Sequence, residues 1–278
     1  LNEKNFKIKS FRSKTPINFP KYLTKNLAEF LGYVIGDGHI TKKTVEIFNA
    51  DEEIIRRINY LSLKIFGIKT SIVKDKRSKA KRILISSKTL AELFHSVFKI
   101  PYDKKGRNLQ ISNLILKSSN NILSSFLRAY FDCDGYVTKN YRNIAITSES
   151  KILIRQINSI LRRFSIFSTI STKNVKGIDY HKLCIQARYA ESFDRQIGSL
   201  IKHKKERLTR FLDMGKIQGC GKHDMIPAGE TLKDLRESLG HSIGQIQDRS
   251  VNSYGIYEKN GLISREALTK LSRFYNKY

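Results

Sequence analysis

The sequence is short of the residues that build disulfide-rich, zinc-binding or membrane proteins. Only three of the 278 residues are cysteine, and none stands in a Cys-x-x-Cys pair, so neither a disulfide framework nor a structural zinc site is expected. No run of about eighteen apolar residues occurs that could span a membrane, and the first residues hold no apolar signal core. Neither phosphate-loop pattern, G-x-G-x-x-G or G-x-x-x-x-G-K-[ST], is present. We therefore expect an intracellular protein, cytoplasmic or nucleoid-associated, with no membrane partner.

Acidic residues are also scarce, with 25 Asp and Glu against 52 Lys and Arg, which gives a formal net charge of +27. A positive charge of this size destabilises a folded chain by repulsion between the basic residues unless a polyanion neutralises it. Nucleic acid is the expected partner, because phosphate contacts would supply much of the affinity. A ribosome-associated or merely basic protein is the alternative. The length allows two domains, or one large one, with a substantial core.

Two short stretches of the chain are copies of one pattern. Residues 30–38 read FLGYVIGDG and residues 127–135 read LRAYFDCDG. Each is an apolar run with two small residues four positions apart, and each ends in Asp-Gly. Glycine costs about 1 kcal/mol in a helix interior, and close approach of a second helix would offset that cost.

We therefore predict two helices that pack side by side through their small residues, Gly32 and Gly36 against Ala129 and Cys133. The first helix would begin after a cap at Thr24, and the second after Ser118 or Ser119. Gly38, just past the first helix, is the expected site of a left-handed backbone.

The same order of elements returns after each motif, which predicts a tandem duplication of an α+β unit. The first copy spans 21–115 and the second 116–215, with a basic lead-in segment at 1–20. Alternation of apolar and polar residues predicts strands, and helical spacing predicts helices. The predicted strands are 44–49, 70–73, 82–86, 143–147, 168–172 and 181–186. The predicted helices are 54–65, 89–98, 152–164 and 189–197.

One side of the predicted strands carries Lys, Arg, Thr, Ser, Asn and Gln. We interpret it as a surface for phosphate and base contacts in double-stranded DNA. A solvated sheet face is the alternative, and the nearly uniform positive charge argues against it. The predicted contacts are Lys74, Lys76, Arg77, Lys79, Lys81, Arg82, Lys139, Asn140, Arg142, Lys173, Lys176, Lys182 and Gln186.

Residues 226–278 predict a small helical module with helices at 230–239, 243–249, 251–257 and 264–275. This order is similar to helix-turn-helix domains, in which the third helix reads the major groove. Such a helix would offer Asn252, Ser253 and Tyr254 to DNA. A purely structural cap is the alternative.

The two Asp-Gly ends carry the predicted chemistry. In parallel helices, Asp37 and Asp134 would meet at one end, where the helix dipoles add partial negative charge. A hard divalent cation such as Mg²⁺ makes that arrangement favourable, and metals between carboxylates and a phosphate support hydrolysis. The lysine pairs 104–105 and 204–205 recur at matching places and could stabilise the developing charge.

A single aspartate at a helix end would be interpreted as a capping residue, whereas two copies in register favour the metal site. Asp132 corresponds to Ile35 in the other copy, so it is not expected in the symmetric pair.

The two motifs resemble those of single-chain LAGLIDADG homing endonucleases, over about residues 21–215. The resemblance implies an αββαββα fold in each half, a pseudo-two-fold axis along the motif helices, and a saddle of strands on DNA. It also implies a monomer that cuts both strands across the minor groove. Residues 1–20 and 226–278 resemble flanking parts of intein-encoded members. Because residue 1 is no nucleophile and no terminal His-Asn is present, the expectation is an endonuclease without splicing parts.

The resemblance further implies that Asp37 and Asp134 share two or three Mg²⁺ ions, with Gly36 and Cys133 beside them. It places the basic residue that supports catalysis near Lys105 and Lys205, as two further site residues.

The expected function is therefore a magnesium-dependent, site-specific endonuclease that makes a double-strand break. Its target would be long and asymmetric, because the two strand surfaces differ in sequence. The first alternative is a non-catalytic nucleic-acid-binding protein on the same fold, an RNA maturase or a transcription regulator. The second is a helix-turn-helix regulator whose duplicated part is a scaffold.

Overall fold

A computed structural model describes residues 5–11, 13, 15–74, 79–103, 106–139, 143–213 and 225–276. The chain divides into two compact units, Leu1–Lys216 and Ile217–Tyr278. The class is α+β, as predicted, and all paired strands of the described residues are antiparallel.

The larger unit contains two copies of one αββαββα arrangement. A hairpin of β1 (Asn5–Ile8) and β2 (Ile17–Pro20) precedes them. It lies in the segment 1–20, which was predicted only as a basic lead-in. The first copy consists of α1 (Lys25–Asp37), β3 (Gly38–Ile40), β4 (Thr44–Asn49), α2 (Glu52–Phe66), β5 (Ser71–Lys74), β6 (Lys81–Ser86) and α3 (Lys88–Ser96). The second consists of α4 (Asn113–Leu116), α5 (Asn120–Asp134), β7 (Gly135–Val137), β8 (Ile144–Ser148), α6 (Lys151–Arg163), β9 (Ser168–Val175), β10 (Ile178–Ile185), α7 (Ala190–Gln196) and α8 (Lys202–Asp213).

The two four-stranded sheets have the same topology. Their strand orders are β3-β4-β6-β5 and β7-β8-β10-β9. The register also matches, because Gly38 lies opposite Ile47 in one sheet and Gly135 lies opposite Ile146 in the other. Residues two positions further along, Asn49 and Ser148, therefore occupy equivalent places at the ends of their strands.

Helix α1 lies at the centre of the core and is buried on nearly every side. Thr24 caps it as predicted, its side chain accepting a hydrogen bond from the Leu27 amide at 3.2 Å. All residues from Leu27 to Ile35 are buried. A helix that is buried all round must pack on several elements, and here α5, α2 and β4 surround α1. The buried Glu29 carboxylate is compensated by Arg57, which donates two hydrogen bonds at 2.8 and 2.7 Å.

The predicted packing of the two motif helices through small residues is confirmed. A methyl group added at Gly32 would lie 2.7 Å from Ala129 Cβ, and one at Gly36 would lie 2.4 Å from Cys133 Cβ. Since real carbon atoms do not approach so closely, these positions have no room for a side chain. The contacts advance along both helices together, so α1 and α5 run in the same direction.

The prediction that Gly38 adopts a left-handed backbone is wrong. Its φ of −85° and ψ of 157° are extended, and the strand β3 begins at this residue. Glycine is needed for another reason, since an added Cβ would lie 2.3 Å from the Val34 carbonyl oxygen. The chain thus turns tightly from helix to strand immediately after Asp37.

The smaller unit has a hydrophobic core of its own. It contains β11 (Met225–Pro227), α9 (Gly229–Ser238), α10 (Ile243–Arg249), α11 (Tyr254–Asn260), β12 (Leu262–Ser264) and α12 (Arg265–Tyr275). Strands β11 and β12 pair, and Leu232, Ile246 and Leu271 are among the core residues. The third helix begins three residues later than predicted, at Tyr254, which is fully buried. Across both units, no described helix is long and apolar enough to cross a membrane.

Candidate active site and nucleic-acid interface

Two carboxylates stand at the ends of the paired motif helices. Asp37 is the last residue of α1 and is half-buried, and Asp134 is the last residue of α5 and is exposed. Burial raises the pKa of the Cys133 thiol, and the negative charges of both Asp37 and Asp134 raise it further. The pKa of the Tyr130 hydroxyl is raised by burial and by the same two carboxylates. The negative charges of both aspartates therefore affect the same two side chains, Cys133 and Tyr130, near the end of the helix pair.

An amide from the neighbouring strand holds the first carboxylate. Asn49 ends β4, and its Nδ2 donates a hydrogen bond of 2.8 Å to Asp37 Oδ2. The Asn49 side chain lies on the core side of β4, in phase with Val45 and Ile47. That alternation is visible in the sequence and would have placed Asn49 on the same side as the motif helix.

A buried lysine lies beneath the end of the second motif helix. Lys204 Nζ donates to the backbone carbonyls of Phe131 and Asp132, at 2.9 and 2.8 Å. Burial lowers the pKa of Lys204, and this effect outweighs the opposing charges of Asp132, Asp37 and Asp134. A cation at a helix C-terminus is favoured by the helix dipole.

The two lysines of this pair differ in burial, since Lys204 is buried whereas the predicted site residue Lys205 is exposed. The phase of helix α8 carries this distinction, because Lys204, Leu208 and Phe211 are its buried residues. Their spacing of four and three is that of one helix face, so the sequence contains the signal. Lys105, the predicted counterpart in the first copy, lies outside the described residues.

Asp132 forms a separate buried contact. Its carboxylate accepts hydrogen bonds from the Ser199 hydroxyl and the Leu200 amide. Burial raises the pKa of Asp132 to about 6, although these hydrogen bonds and the charge of Lys204 oppose the shift. Asp132 therefore ties the segment before α8 to α5.

Two terminal carboxylates can bind a divalent metal ion only if other groups complete its coordination shell. Among the described residues, no cluster of three or more His, Cys, Asp and Glu side chains is arranged to hold a metal ion. Two carboxylates suffice for Mg²⁺, which keeps several waters and takes substrate phosphate oxygens as ligands. Gly36 and Cys133, the other predicted metal positions, face each other one residue before the carboxylates.

The open face of the first sheet is less positive than predicted. It carries Glu46 in its middle, and Arg82 Nη1 lies 3.6 Å from Glu46 Oε2. The apolar side chains of Phe48 and Val73 are 41% and 39% exposed on the same face. Among the described residues of this face, the Glu46–Arg82 pair compensates charge internally, so these residues do not form a uniform phosphate-binding surface.

Two predicted DNA contacts lie on the other side of this sheet. Lys81 is in phase with the buried Ile83 and Ile85, and its Nζ forms an ion pair with Glu52 at the start of α2. Lys74 is the cross-strand neighbour of Lys81 and shares that side. Both lysines therefore lie on the helix side of the sheet and not on its open face, and their contact with DNA stays a prediction. Lys79 is exposed, whereas Lys76 and Arg77 lie outside the described residues.

The open face of the second sheet matches the prediction more closely. Lys182 alternates with the buried His181 and Leu183, and Lys173 lies opposite Tyr180 on the same open face. No described residue of this face is acidic. Lys139 and Lys176 are exposed near the ends of the strands, and Asn140 and Arg142 lie outside the described residues.

Gln186, just past β10, has a side-chain amide that is buried. Within the described structure neither its nitrogen nor its oxygen has a hydrogen-bond partner. Buried amide groups without partners are unusual in folded proteins. The group retains hydrogen-bonding capacity at the rim of the open face.

The smaller unit offers less to DNA than predicted. Tyr254 is a core residue whose hydroxyl donates a hydrogen bond of 2.6 Å to the Leu232 carbonyl, which leaves it no surface for a DNA contact. Asn252 is exposed and Ser253 is half-buried. Residues 217–278 contain nine of the 52 basic and seven of the 25 acidic residues. The positive charge of the chain therefore lies almost wholly in the larger unit.

Comparison with known families matches the two copies separately. A family model described as a LAGLIDADG-like domain matches residues 24–98 and 121–198. Each matched segment begins within one residue of the start of a motif helix and extends through the sheet that follows it. Together they cover more than half of the chain.

Curated relatives contain a similar segment within much longer proteins. Over 270 residues the chain is 30% identical to an A-type ATP synthase subunit of Pyrococcus abyssi, covering 97% of this chain and 24% of that protein. It is 28% identical to glutamine–fructose-6-phosphate aminotransferase of Methanocaldococcus jannaschii, covering 90% and 24%. It is also 28% identical to the probable translation initiation factor IF-2 of that organism, covering 91% and 21%. The chain thus spans about a quarter of the length of the relatives it matches.

Two solved structures share the fold. The homing endonuclease I-DmoI, in complex with DNA and Ca, aligns with a TM-score of 0.51 and 18% identity, covering 68% of this chain and 100% of that chain. Full-length DUF199/WhiA from Thermatoga maritima aligns with a TM-score of 0.51 and 14% identity, covering 91% and 90%. At these identities the similarity establishes the architecture alone.

Proposed function

Because the chain belongs to the LAGLIDADG-like domain family, we propose that it is a site-specific DNA endonuclease that makes a double-strand break by metal-dependent hydrolysis. The observation that carries this proposal is the meeting of Asp37 and Asp134 at one end of two parallel helices. Packing through Gly36 and Cys133 brings the helices close enough for both carboxylates to act on the same thiol.

Each residue of the site has a role in this proposal. Asp37 and Asp134 would hold two or three Mg²⁺ ions, since Mg²⁺ binds proteins through one or two carboxylates together with water and substrate phosphates. The bound metal supplies activation of water and stabilisation of the leaving oxygen. Without a cation, two carboxylates beside DNA phosphate would repel the substrate. The protein part of the mechanism is therefore to fix both carboxylates on rigid helices before DNA arrives.

Lys204 is the proposed positioning residue of the second copy. It neutralises the C-terminal carbonyls of α5 directly below Asp134. Its charge also offsets part of the repulsion between the two carboxylates. Lys105 and Lys205 remain predictions for the basic residue that supports catalysis, and the buried position of Lys204 makes it the better candidate in its pair.

The two open sheet faces are proposed to contact the major groove on either side of the cut. Lys173 and Lys182 suit phosphate or guanine contacts. The first face instead presents the Glu46–Arg82 pair among apolar side chains, which suits cytosine amino groups and thymine methyl groups. Since the two faces differ, the target of this monomer is asymmetric.

The context of the chain is proposed from its relatives. Similar segments lie within an aminotransferase, a translation factor and a component of an ATP synthase, three proteins without a common function. A segment that occurs inside unrelated proteins behaves as a transferable insertion. This supports an intein-derived endonuclease that acts on DNA inside the cell.

The alternative is a protein that binds nucleic acid without cutting it. Similarity to the homing endonuclease I-DmoI at 18% identity shows the fold alone, so the architecture does not separate the two functions. The paired terminal aspartates favour the nuclease, because a protein that only binds DNA gains nothing from two carboxylates facing phosphate.

The test is cleavage of a randomised duplex library in Mg²⁺ or Mn²⁺, followed by the same assay on Asp37→Asn and Asp134→Asn. We expect each variant to lose about 100- to 1,000-fold in double-strand cleavage, as removal of a charge-stabilising group does in other active sites. Binding to the selected target in Ca²⁺ should persist. Binding without cleavage by the unaltered protein would favour the non-catalytic alternative, and full activity of the double variant would overturn the proposed site.

A further inference from the structure

We propose that a cleft between the two halves of the larger unit binds a small phosphate anion, either inorganic pyrophosphate or the phosphate chain of a nucleotide. The cleft has a volume of about 480 Å³ and is lined by Glu53, Arg56 and Arg57 of α2, Arg128 of α5 and Leu200 before α8. This volume lies in the range of small-molecule sites. The proposed nuclease function uses none of these residues, so this inference is independent of it.

A buried carboxylate beside the cleft is already compensated. Glu29 is 2% exposed and accepts two hydrogen bonds from Arg57, at 2.8 and 2.7 Å. It accepts a third from the Tyr33 hydroxyl at 3.3 Å. Because a buried charge is stable only when it is paired and hydrogen-bonded, Arg57 is needed where it lies. One guanidinium of the cleft therefore serves Glu29, and a second is not required for that purpose.

Arg128 is the cation that this arrangement leaves without a tight partner. Its Nη2 lies 3.7 Å from Glu29 Oε2, which is close enough for an ion pair and too far for a hydrogen bond. Its Nε is buried and has no hydrogen-bond partner among the described residues. A buried donor without an acceptor costs free energy, and the fork of a guanidinium matches the oxygens of a phosphate. A phosphate in the cleft would supply the missing acceptor.

The fold itself does not require charges at these positions. In the aligned motifs, Arg128 corresponds to Leu31, and Glu29 corresponds to Phe126. Leu31 and Phe126 are both fully buried in the core. The duplicated fold thus accommodates an apolar side chain at either place, in one half or the other. Anion binding gives the arginine a use that packing alone does not.

The matching helix of the second half provides a control for the cleft. Asn59 and Asn158 each accept a hydrogen bond from a hydroxyl at or just before the start of the next strand, which aligns α2 with α6. Arg56 then corresponds to Arg155. Arg155 shares a separate groove with the apolar Ile152, and α5 contributes none of the residues that line it. The same positive charge is therefore present in the second half without a partner such as Arg128.

The charges of the cleft favour phosphate over a carboxylate. Three guanidinium groups line it together with one carboxylate, that of Glu53. Glu53 opposes anion binding, but it is exposed in the first turn of α2, where salt screens its charge. A phosphate chain carries several charged oxygens, which more than one guanidinium can bind at once. A single carboxylate would satisfy only one guanidinium and leave the others unused.

The cleft is separate from the surface proposed for DNA. None of its lining residues belongs to a strand. Helix α2 packs against the side of the first sheet that lies opposite the open face, as its contact with Lys81 shows. A duplex on the open faces therefore leaves the cleft to a small ligand. That ligand would contact α2 of the first half and α5 of the second.

The decisive variant is Arg128→Leu, because the chain itself has leucine at the equivalent place in the other motif. It removes the guanidinium without a tight partner and keeps the pair of Glu29 and Arg57. Arg56→Gln removes a second guanidinium of the cleft at an exposed position, where the core is not at risk. Arg155→Gln is its matched control. Urea unfolding of each variant checks that the fold persists.

Binding is measured by isothermal titration calorimetry of the full chain with sodium pyrophosphate. EDTA is included so that no metal-bound phosphate at the aspartates contributes, and KCl at about 0.15 M screens distant charges. We expect Arg128→Leu to bind at least about tenfold more weakly, the loss expected when hydrogen bonds to a charged group are removed. Arg56→Gln should lose about threefold, as an exposed ion pair does. Arg155→Gln should bind as the unaltered protein does.

Unfolding provides a second readout of the same site. A ligand that binds only the folded chain stabilises it in proportion to its occupancy. Pyrophosphate should therefore raise the urea midpoint of the unaltered protein more than that of Arg128→Leu. Inorganic triphosphate and ATP then distinguish the two sources of phosphate, since equal affinity assigns the cleft to the phosphate chain and tighter binding of ATP assigns it to a nucleotide.

Several results would overturn the proposed anion site. These are no binding of any phosphate by the unaltered protein, the same affinity in Arg128→Leu, or an equal loss in Arg56→Gln and Arg155→Gln. Citrate bound as tightly as pyrophosphate would overturn the phosphate class. A smaller salt dependence of DNA binding in Arg128→Leu would make the cleft part of the DNA surface instead. Because the titrations need neither a DNA target nor cleavage, failure of the nuclease proposal leaves their result unaffected.

Discussion

The two halves of the larger unit share a backbone arrangement and a terminal aspartate on each motif helix, and they differ at several side chains around those aspartates. The strand order and the register opposite each motif are the same. Asn49 corresponds to Ser148, and Ile35 in the core corresponds to Asp132, which holds the segment before α8. The strand order and register that position the two aspartates are therefore repeated, whereas the side chains around the aspartates differ between the halves.

The two sheet faces show the same division. One face carries Lys173 and Lys182 and no described acidic residue, whereas the other holds the Glu46–Arg82 pair. Because a charge-compensated face gains less from phosphate contacts than a positive one, the halves should contribute differently to affinity and to sequence reading. A symmetric fold can in this way support an asymmetric target.

The largest expected effect distinguishes the two lysines of the pair 204–205. Lys204→Met should lower cleavage by about 100-fold, the loss typical of a displaced charge-stabilising group, because the end of α5 loses its buried cation. Lys205→Met, a matched change at an exposed position, should stay within about threefold. Single-turnover cleavage of the selected target measures both.

Unfolding by urea serves as the control for this pair of variants. Replacing a buried lysine by an apolar side chain of similar length need not destabilise the fold, since burial of the charge is itself costly. A variant Lys205→Met that loses as much activity as Lys204→Met would show that the exposed lysine is the supporting group after all.

The next effect tests how closely the two motif helices approach. Gly36→Ala should destabilise the fold by about 3 kcal/mol, since overpacking at a contact without room costs this much. Cys133→Gly should cost about 1 kcal/mol from helix propensity. The double variant exchanges the small residue between the halves and should be more stable than the sum of the two effects by about 2 kcal/mol.

Urea unfolding at equilibrium measures this coupling as a double-variant cycle. Strict additivity would mean that Gly36 and Cys133 do not face each other. Ala129 and Gly32, one turn earlier, offer a second site at which the same exchange can be repeated.

Features that follow from a local sequence pattern were predicted correctly. Features that depend on the phase of a strand or helix, or on contacts between residues far apart in sequence, were missed. The ends of α1, the cap at Thr24 and the packing of small residues follow from spacing alone. Lys81 was predicted to lie in a basic loop before a strand at 82–86, whereas β6 begins at Lys81 itself and places this residue in phase with Ile83 and Ile85. Its partner Glu52 lies far away in sequence, so no local pattern indicates that ion pair.

Other differences have equally specific causes. The strands β3 and β7 are only three residues long, too short for a clear alternation. The need for glycine at position 38 comes from contact with the preceding helical turn, not from a left-handed backbone. The difference in burial between Lys204 and Lys205 follows from the phase of α8, which can be assigned only once the helix boundaries are known.

The smallest expected effect tests which side of each sheet meets DNA. Lys182→Ala should lower the slope of log affinity against log salt by about 0.9, the value for one lost phosphate contact. Lys81→Ala should leave the slope unchanged, because Lys81 is paired with Glu52 on the helix side of its sheet. Binding of the selected duplex in Ca²⁺, measured across a series of KCl concentrations, compares the two variants directly. A loss of slope in Lys81→Ala equal to that in Lys182→Ala would mean that the first half turns its helix-side lysines to DNA, and the proposed difference between the two faces would fail.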